Sequence, residues 1–478
     1  MLMDKLEALF KARGPIKKIG VIGMGYVGIP SAVLFAYAPC FEKVLGFQRA
    51  SKSSGYKIEM LNRGKSPLKG EEPGLEELIS KVVKAGKFEC TSDFSRVSEL
   101  DAVTLAIQTP FANSKDLTPD FSSLIEGLRK VGEYLRPGML VVLESTITPG
   151  TTAGMAKQIL EEESGLKAGE DFALAHAPER VMVGRLLRNI REHDRIVGGI
   201  NEASTERAVE LYSPVLTAGK VISMSATAAE VTKTAENTFR DLQIAAINQL
   251  ALYCEAIGIN VYDVRAGVDS LKGEGITRAI LWPGAGVGGH CLTKDTYHLE
   301  RGIKIGEKEL DYPKGTDSIY VLARKINDFM PIHMFNLTIA AFECLEKNIE
   351  GLKIAILGWA FIRDSDDARN TPSEPFRELC LQSGAKVMVH DPYVVHYPGV
   401  EISNNLEEVL RDADAVAVFT EHSAYFDVKA EWLKKLCGKE RPIIVDGRNV
   451  VDPDEFIEEG FVYEGIGRGD KNEIYLKF

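Results

Sequence analysis

Trp282–Asp295 reads W-P-G-A-G-V-G-G-H-C-L-T-K-D, with four glycines ahead of Cys291. Glycine at this density excludes regular helix. It lets backbone N–H groups converge and a side chain stand clear in a cleft. Cys291 follows His290 and lies close to Lys294, and neighbouring cations favour the thiolate, the reactive form of cysteine. The alternative is a buried structural cysteine. The other six (Cys40, Cys90, Cys254, Cys344, Cys380 and Cys437) fall in helix or strand patterns as core or surface residues. No C-x-x-C pair or zinc spacing occurs, and no metal site is read.

A second signal is Gly23-Met24-Gly25-Tyr26-Val27-Gly28, a G-x-G-x-x-G run between a strand and a helix. The first glycine permits the tight turn, the second lets backbone approach a pyrophosphate, and the third allows close helix–strand packing. The helix N-terminus presents N–H groups and a positive dipole to the anion. The end of the next strand usually carries an acid for the adenosine ribose. Here it reads Phe47-Gln48-Arg49. Gln48 can bond a hydroxyl without repelling a phosphate. Arg49 can pair with a 2′-phosphate or stack on adenine, so NAD and NADP both stay open. A third signal is Glu230, Lys233 and Asn237, at i, i+3 and i+7 of a helical stretch, hence on one face. Alone, these read as a solvated polar stripe.

The elements that must carry these groups follow from hydrophobic pattern. Lys18–Gly23 is a buried strand, with further strands at Val44–Phe47, Ala102–Ile107, Leu140–Leu143 and Phe172–His176. Helical patterns alternate with them, which implies a parallel sheet. From Ala226 to Gly258 one long helix is expected. A second runs over Ser318–Leu345, kinked or broken at Pro331. Strand–helix alternation resumes at Leu352, and KIAILG echoes KIGVIG as a weak internal repeat. The expected fold is α/β: two Rossmann-like, doubly wound parallel-sheet domains, at 14–215 and 346–478, joined by a helical middle over 216–345.

The bulk numbers agree. A chain of 478 residues suggests two to four domains. A net charge of −12 argues against nucleic acid or anionic membrane as partner. No apolar run reaches the roughly 18 residues that span a bilayer. The opening MLMDKLEALFKARGP is charged and amphipathic, unlike a signal peptide. A reducing, cytoplasmic setting is expected.

The chain resembles the nucleotide-sugar 6-dehydrogenases, the UDP-glucose/GDP-mannose dehydrogenase superfamily. The matching motifs are GMGYVG at Gly23, ESTITPGTT from Glu144, APERV from Ala177 and AEVTKTAENTFRD from Ala229. GVGGHC at Gly286, LGWAFIRDSDDARNTPS from Leu357 and DGRN at Asp446 follow in order. The resemblance implies a four-electron oxidation of a sugar CH2OH to a carboxylate, with NAD as hydride acceptor and Cys291 as covalent nucleophile. It implies that Lys233 stabilises oxyanions beside Asn237. Asp295 is then a base acting through water, and Thr146 and Glu179 position that water. The residues leave alternatives: a strand-end cap for Thr146 and a salt bridge to Arg180 for Glu179. For the cofactor, the resemblance implies Gly23, Gly25, Tyr26, Val27, Gly28, Gln48, Arg49, Thr109, Pro110 and Thr146. For the UDP-sugar it implies Glu179, Arg180, Lys233, Asn237, Arg278, Gly288, Arg369 and Arg448, with Asp364 and Asp367 in the same C-terminal loop. It also implies a homodimer or higher homo-oligomer built on the middle helix.

Within the superfamily, A-P-E-R-V and His290 resemble the UDP-N-acetylhexosamine branch, whereas L-T-K-D after Cys291 resembles the UDP-glucose branch. A UDP-N-acetylhexosamine is favoured, its manno, gluco or galacto form open. The competing readings are a UDP-glucose 6-dehydrogenase, a 3-hydroxyacid dehydrogenase of the 6-phosphogluconate type, and a non-catalytic nucleotide-sugar or NAD sensor.

Overall fold

A computed structural model of the chain describes residues 2–52, 54–68, 72–113, 118–181, 184–271, 280–289, 291–306 and 317–472. The chain divides into two compact units, Met1–Glu236 with Tyr297–Tyr312, and Asn237–Thr296 with Pro313–Phe478.

The first unit is built on an eight-stranded sheet. Its strands are β1 (Lys18–Ile22), β2 (Lys43–Phe47), β3 (Phe88–Thr91), β4 (Ala102–Leu105), β5 (Leu140–Leu143), β6 (Ala173–His176), β7 (Arg195–Gly199) and β8 (Val221–Ser225). Their spatial order is β3-β2-β1-β4-β5-β6-β7-β8. Ala102–Leu105 and Leu140–Leu143 are buried along their whole length, as strands covered on both faces must be. Val21 joins the core on one face and Ile22 the core on the other.

The sheet is not wholly parallel, contrary to the expectation from sequence. Ala175 pairs with Gly199 and His176 with Gly198 in antiparallel register, and β8 then follows β7 in parallel. The chain turns back beside the end of β6 through the seven-residue helix Leu186–Glu192. It therefore makes no crossover over the sheet face, which a parallel partner needs. β7 thus starts where β6 ends, and this places Arg195 beside Ala177 and Glu179.

The second unit carries a six-stranded, all-parallel sheet. Its strands are β9 (Lys353–Leu357), β10 (Lys386–His390), β11 (Ile402–Ser403), β12 (Ala415–Val418), β13 (Ile443–Asp446) and β14 (Val462–Gly465). Their order is β11-β10-β9-β12-β13-β14. The echo of KIGVI in KIAIL is structural. Lys18 pairs with Lys43 and Ile22 with Phe47, as Lys353 pairs with Lys386 and Leu357 with His390. Each strand leads to a glycine at φ +97°, Gly23 or Gly358. Each of those glycines donates its N–H to the last carbonyl of the neighbouring strand, Phe47 at 3.1 Å and His390 at 2.9 Å.

The two turns then diverge. In the second, the buried Asp391 carboxylate accepts the N–H groups of Trp359 (2.7 Å), Ala360, Tyr393 and Val394 (2.8 Å each). Burial pushes its carboxyl up, but His422 and these N–H groups outweigh burial and hold it below the usual carboxylate range. This turn is closed on its own side chain.

Four helices carry candidate residues: α1 (Gly28–Tyr37), α2 (Tyr56–Asn62), α3 (Ala226–Ala256) and α4 (Leu292–Gly306). A fifth, α5 (Ile319–Cys344), runs on through Pro331, which does not break it. Met330, Pro331 and Met334 are buried, and that packing carries the helix past the missing N–H. Buried polar bonds hold α5 to the second-unit part of α3. Arg324 pairs with Asp241 at 2.6 Å, and Asn327 donates to Asp241 at 2.8 Å. Among the described residues no helix is long and apolar enough to cross a membrane.

Candidate active site

The Gly23–Gly28 loop has the form its sequence predicts. A side chain on Gly23 would lie 2.5 Å from the Ala106 carbonyl, and one on Gly28 would collide with the Gly23 carbonyl. A side chain on Gly25 would meet nothing within 4 Å, which is the open approach a pyrophosphate needs. Val27 is the N-cap of α1 and supplies no side-chain cap; the first turn holds no acid. The uncapped, acid-free positive end of the helix dipole there suits an anion, so the residues present fit a dinucleotide. Gln48 serves the loop itself: its Oε1 accepts from Met24 N–H at 3.2 Å and its Nε2 donates to Ser54 Oγ at 2.9 Å. Arg49 pairs with Glu126 at 2.9 Å on the surface.

The ends of β4 and β5 bring Thr109 and Thr146 together. Thr109 Oγ1 donates to the Thr146 carbonyl at 2.5 Å, and the Pro110 carbonyl accepts from Asp120 N–H at 2.7 Å. Beyond Thr146 the loop is fixed by Glu230 of α3. Its carboxylate accepts from Gly150 N–H at 2.6 Å and Thr152 N–H at 2.7 Å. Burial pushes the Glu230 carboxyl up against those bonds. One turn further along α3, Lys233 is buried too. Glu230, read in sequence as part of a polar stripe, is therefore a clamp from α3 to the strand-end loop.

Glu179 is buried, and its ion-pair partner is Arg195 of β7, not the adjacent Arg180. Arg180 instead donates to the Asp194 carbonyl and pairs with Glu236 at 3.4 Å. Arg195 also binds Glu144 at 3.0 Å and the Ala177 carbonyl at 2.8 Å. Tyr212 donates its hydroxyl to Glu144 at 2.6 Å. Burial pushes the Glu144 carboxyl up, against the pull of Arg195. Burial, and then the Arg195 charge, push the neighbouring His176 down to about 3, so it stays neutral.

In the second unit, Cys291 is exposed at the head of α4. Its carbonyl accepts the N–H groups of Lys294 (3.1 Å) and Asp295 (2.8 Å). Negative charge is favoured at a helix N-terminus. Asp295 lies in the first turn, fully buried. Asn237 Nδ2 donates to its Oδ2 at 2.5 Å, and Lys294 approaches its Oδ1 at 3.5 Å. The glycines before Cys291 have a packing cause. A side chain on Gly288 would lie 2.5 Å from Phe361 Cβ, and one on Gly289 2.7 Å from the Phe361 ring. Gly289 N–H donates to the Arg369 carbonyl at 2.8 Å, and Asn370 donates to the Gly289 carbonyl at 3.1 Å.

Arg448 lies under the same loop, where a side chain on Gly284 would sit 2.5 Å from its guanidinium. It donates to the Phe419 carbonyl at 3.0 Å. Arg369 forms a two-pronged pair with Asp367, at 2.8 and 2.5 Å. With Asn370, Glu374, Tyr397 and Pro398 it lines a cleft of about 500 Å³. Asp364 accepts from Ser423 N–H at 2.8 Å and from Ser423 Oγ at 2.5 Å. Arg278 and His290 lie outside the described residues.

A dinucleotide loop in one unit, and a helix-head cysteine beside a buried carboxylate in the other, define a nicotinamide-dependent dehydrogenase. Residues 17–216, 227–319 and 355–453 match, in turn, the NAD binding, central and UDP binding domains of the UDP-glucose/GDP-mannose dehydrogenase family. The chain belongs to that family and is an NAD-dependent UDP-sugar dehydrogenase. It is 36% identical, over 456 residues, to the UDP-N-acetyl-D-mannosamine dehydrogenase of Pyrococcus horikoshii, covering 95% of this chain and all of that one. It is 32% identical over 426 residues to the enzyme of the same name from Escherichia coli K12, covering 85% and 94%. The crystal structure of an NDP-N-acetyl-D-galactosaminuronic acid dehydrogenase from Methanosarcina mazei Go1 is 82% identical, with a TM-score of 0.91 and 99% of each chain covered.

Proposed function

We propose that the chain oxidises the C6 alcohol of a UDP-N-acetylhexosamine to the uronate through a thioester on Cys291. The observation that carries the covalent route is the head of α4, where exposed Cys291 stands within one turn of buried Asp295 and its partner Asn237. The N-acetylhexosamine is supported by the names of the relatives above. The balance is RCH2OH + 2 NAD+ + H2O → RCOO− + 2 NADH + 3 H+. NAD, when bound at the glycine loop, accepts one hydride in each oxidation. Cys291 Sγ adds to the aldehyde carbon, which keeps the aldehyde from leaving between oxidations. Lys233 and Asn237 hold the alkoxide and the thiohemiacetal oxygen; one such donor is worth about 2.7–4 kcal/mol. Asp295, with Glu179 and Thr146, aligns the water that cleaves the thioester and returns the Cys291 thiolate.

The purified protein incubated with UDP-ManNAc, UDP-GalNAc, UDP-GlcNAc and UDP-glucose is expected to reduce two cofactors per N-acetyl sugar consumed. One cofactor per sugar would end the four-electron reading. Turnover of UDP-glucose alone would end the N-acetyl reading.

A second copy of the chain is the partner we assign to an apolar face of the second unit. Phe239 and Tyr253 are four turns apart on α3 and more than half exposed. Leu322, Phe329 and Ile332 form an exposed stripe on α5. Monomers seldom leave such stripes open to water. Light scattering at micromolar concentration is expected to give at least twice the chain mass of 52.5 kDa, and Phe239→Lys with Leu322→Lys to halve it. A monomeric wild type counts against the assignment.

A further inference from the structure

The adenosine end of the cofactor site lies where β2 gives way to α2. An acid at this point binds the ribose hydroxyls and repels a 2′-phosphate, whereas an arginine nearby accommodates the phosphate. Here the acid is missing. From Lys43 to Ile58 the sequence has no Asp or Glu, and Arg49, Lys52 and Lys57 follow the strand end.

Gln48 stands in the acid's place with both polar atoms engaged, on Met24 N–H and Ser54 Oγ. It fixes the glycine loop and adds no charge. Lys57 Nζ donates to the Met24 carbonyl at 2.9 Å, and an ammonium has two further donors. Ser51 Oγ and Ser54 Oγ lie 2.7 Å apart, and Gly55 N–H donates to the Ser51 carbonyl at 2.8 Å. Among the described residues Arg49 pairs with Glu126, and both side chains are more than half exposed. A surface pair of this kind yields readily to a stronger anion. A phosphate monoester near neutral pH carries more negative charge than a carboxylate and three strong acceptor oxygens.

We propose that this site takes the 2′-phosphate of NADP as well as the plain ribose of NAD, with Arg49, Lys57, Ser51 and Ser54 as the recognition set. The inference rests on the family's NAD binding domain and is independent of which sugar is oxidised.

The test is calorimetric titration of the full chain with 5′-AMP and with adenosine 2′,5′-bisphosphate, which differ only by the 2′-phosphate. The bisphosphate is expected to bind at least tenfold more tightly. Arg49→Ala is expected to remove most of that preference, and Gln48→Asp to reverse it. Equal or weaker binding of the bisphosphate overturns the proposal. So does a preference that survives both substitutions, because the phosphate would then be held elsewhere. Turnover with NADP, at a kcat/KM no lower than with NAD, is the expected kinetic counterpart. If no sugar turns over, the nucleotide titrations still decide the matter.

Discussion

Cys291→Ser is expected to fold as the wild type does and to lose carboxylate formation by at least about 10³-fold. Folding should survive because Cys291 is exposed and heads α4, where serine is a favourable capping residue. Chemistry should not survive, because an unassisted serine hydroxyl is a far weaker nucleophile than a thiolate at neutral pH. Asp295 and Asn237 remain paired in the variant, so the loss is assigned to sulfur and not to a displaced carboxylate. Two readouts check this: reduced cofactor at 340 nm and the intact mass of protein quenched during turnover. The wild type should show a species heavier by the acyl group, and the variant none. Full carboxylate formation by Cys291→Ser would remove the covalent sulfur from the reaction, and one cofactor reduced per sugar would reduce it to a single alcohol oxidation.

What the sequence made legible is what local stereochemistry dictates. Gly23 at φ +97° and the crowded Gly28 are requirements of one turn, so G-x-G-x-x-G could be read without a fold. The glycines before Cys291 were legible as an irregular loop, but their cause, the Phe361 ring some seventy positions on, was not. The i, i+3, i+7 face of α3 placed Glu230, Lys233 and Asn237 together. Only the structure separates their uses: Glu230 clamps Gly150 and Thr152, while Asn237 holds Asp295. Glu179 is the plainest gap. Its sequence neighbour Arg180 suggested itself as partner, whereas Arg195 provides the charge. RIVGG reads as a buried strand in either direction, and nothing local reveals that β7 runs antiparallel to β6. Pro331 shows the opposite error: a strong local rule for breaking a helix is overridden by burial along α5.

Arg195→Met is expected to destabilise the chain by about 3–5 kcal/mol at pH 8, the usual cost of removing one partner from a buried ion pair. The side chains of Arg195, Glu144 and Glu179 are 5%, 0% and 6% exposed. Without the guanidinium, two buried carboxylates lose their shared cation. The Ala177 carbonyl loses its donor, and the Tyr212 ring loses the cation 4.3 Å from its centre. His176, neutral in the wild type, offers no substitute charge at pH 8. At roughly 2–4 °C per kcal/mol for 150–250 residues, the melting transition of this unit should fall by about 10 °C.

The loss should also depend on pH, and its sign is fixed. Burial already holds the Glu144 carboxyl above its ordinary value of 4.5, and Arg195 opposes that rise. Removing Arg195 raises the folded value further. A carboxyl raised in the folded state binds a proton on folding, so the variant regains stability as pH falls from the folded value towards the unfolded one. The gap between wild type and variant should therefore narrow from pH 8 to pH 5 in melts followed by circular dichroism. A gap that is constant with pH would mean that the carboxylates are not what Arg195 neutralises. Glu144→Gln combined with Arg195→Met then separates scaffold from site. Neutralising one carboxylate should restore part of the stability, while turnover stays low, because Glu179 still lacks the cation that fixes it at the end of β6.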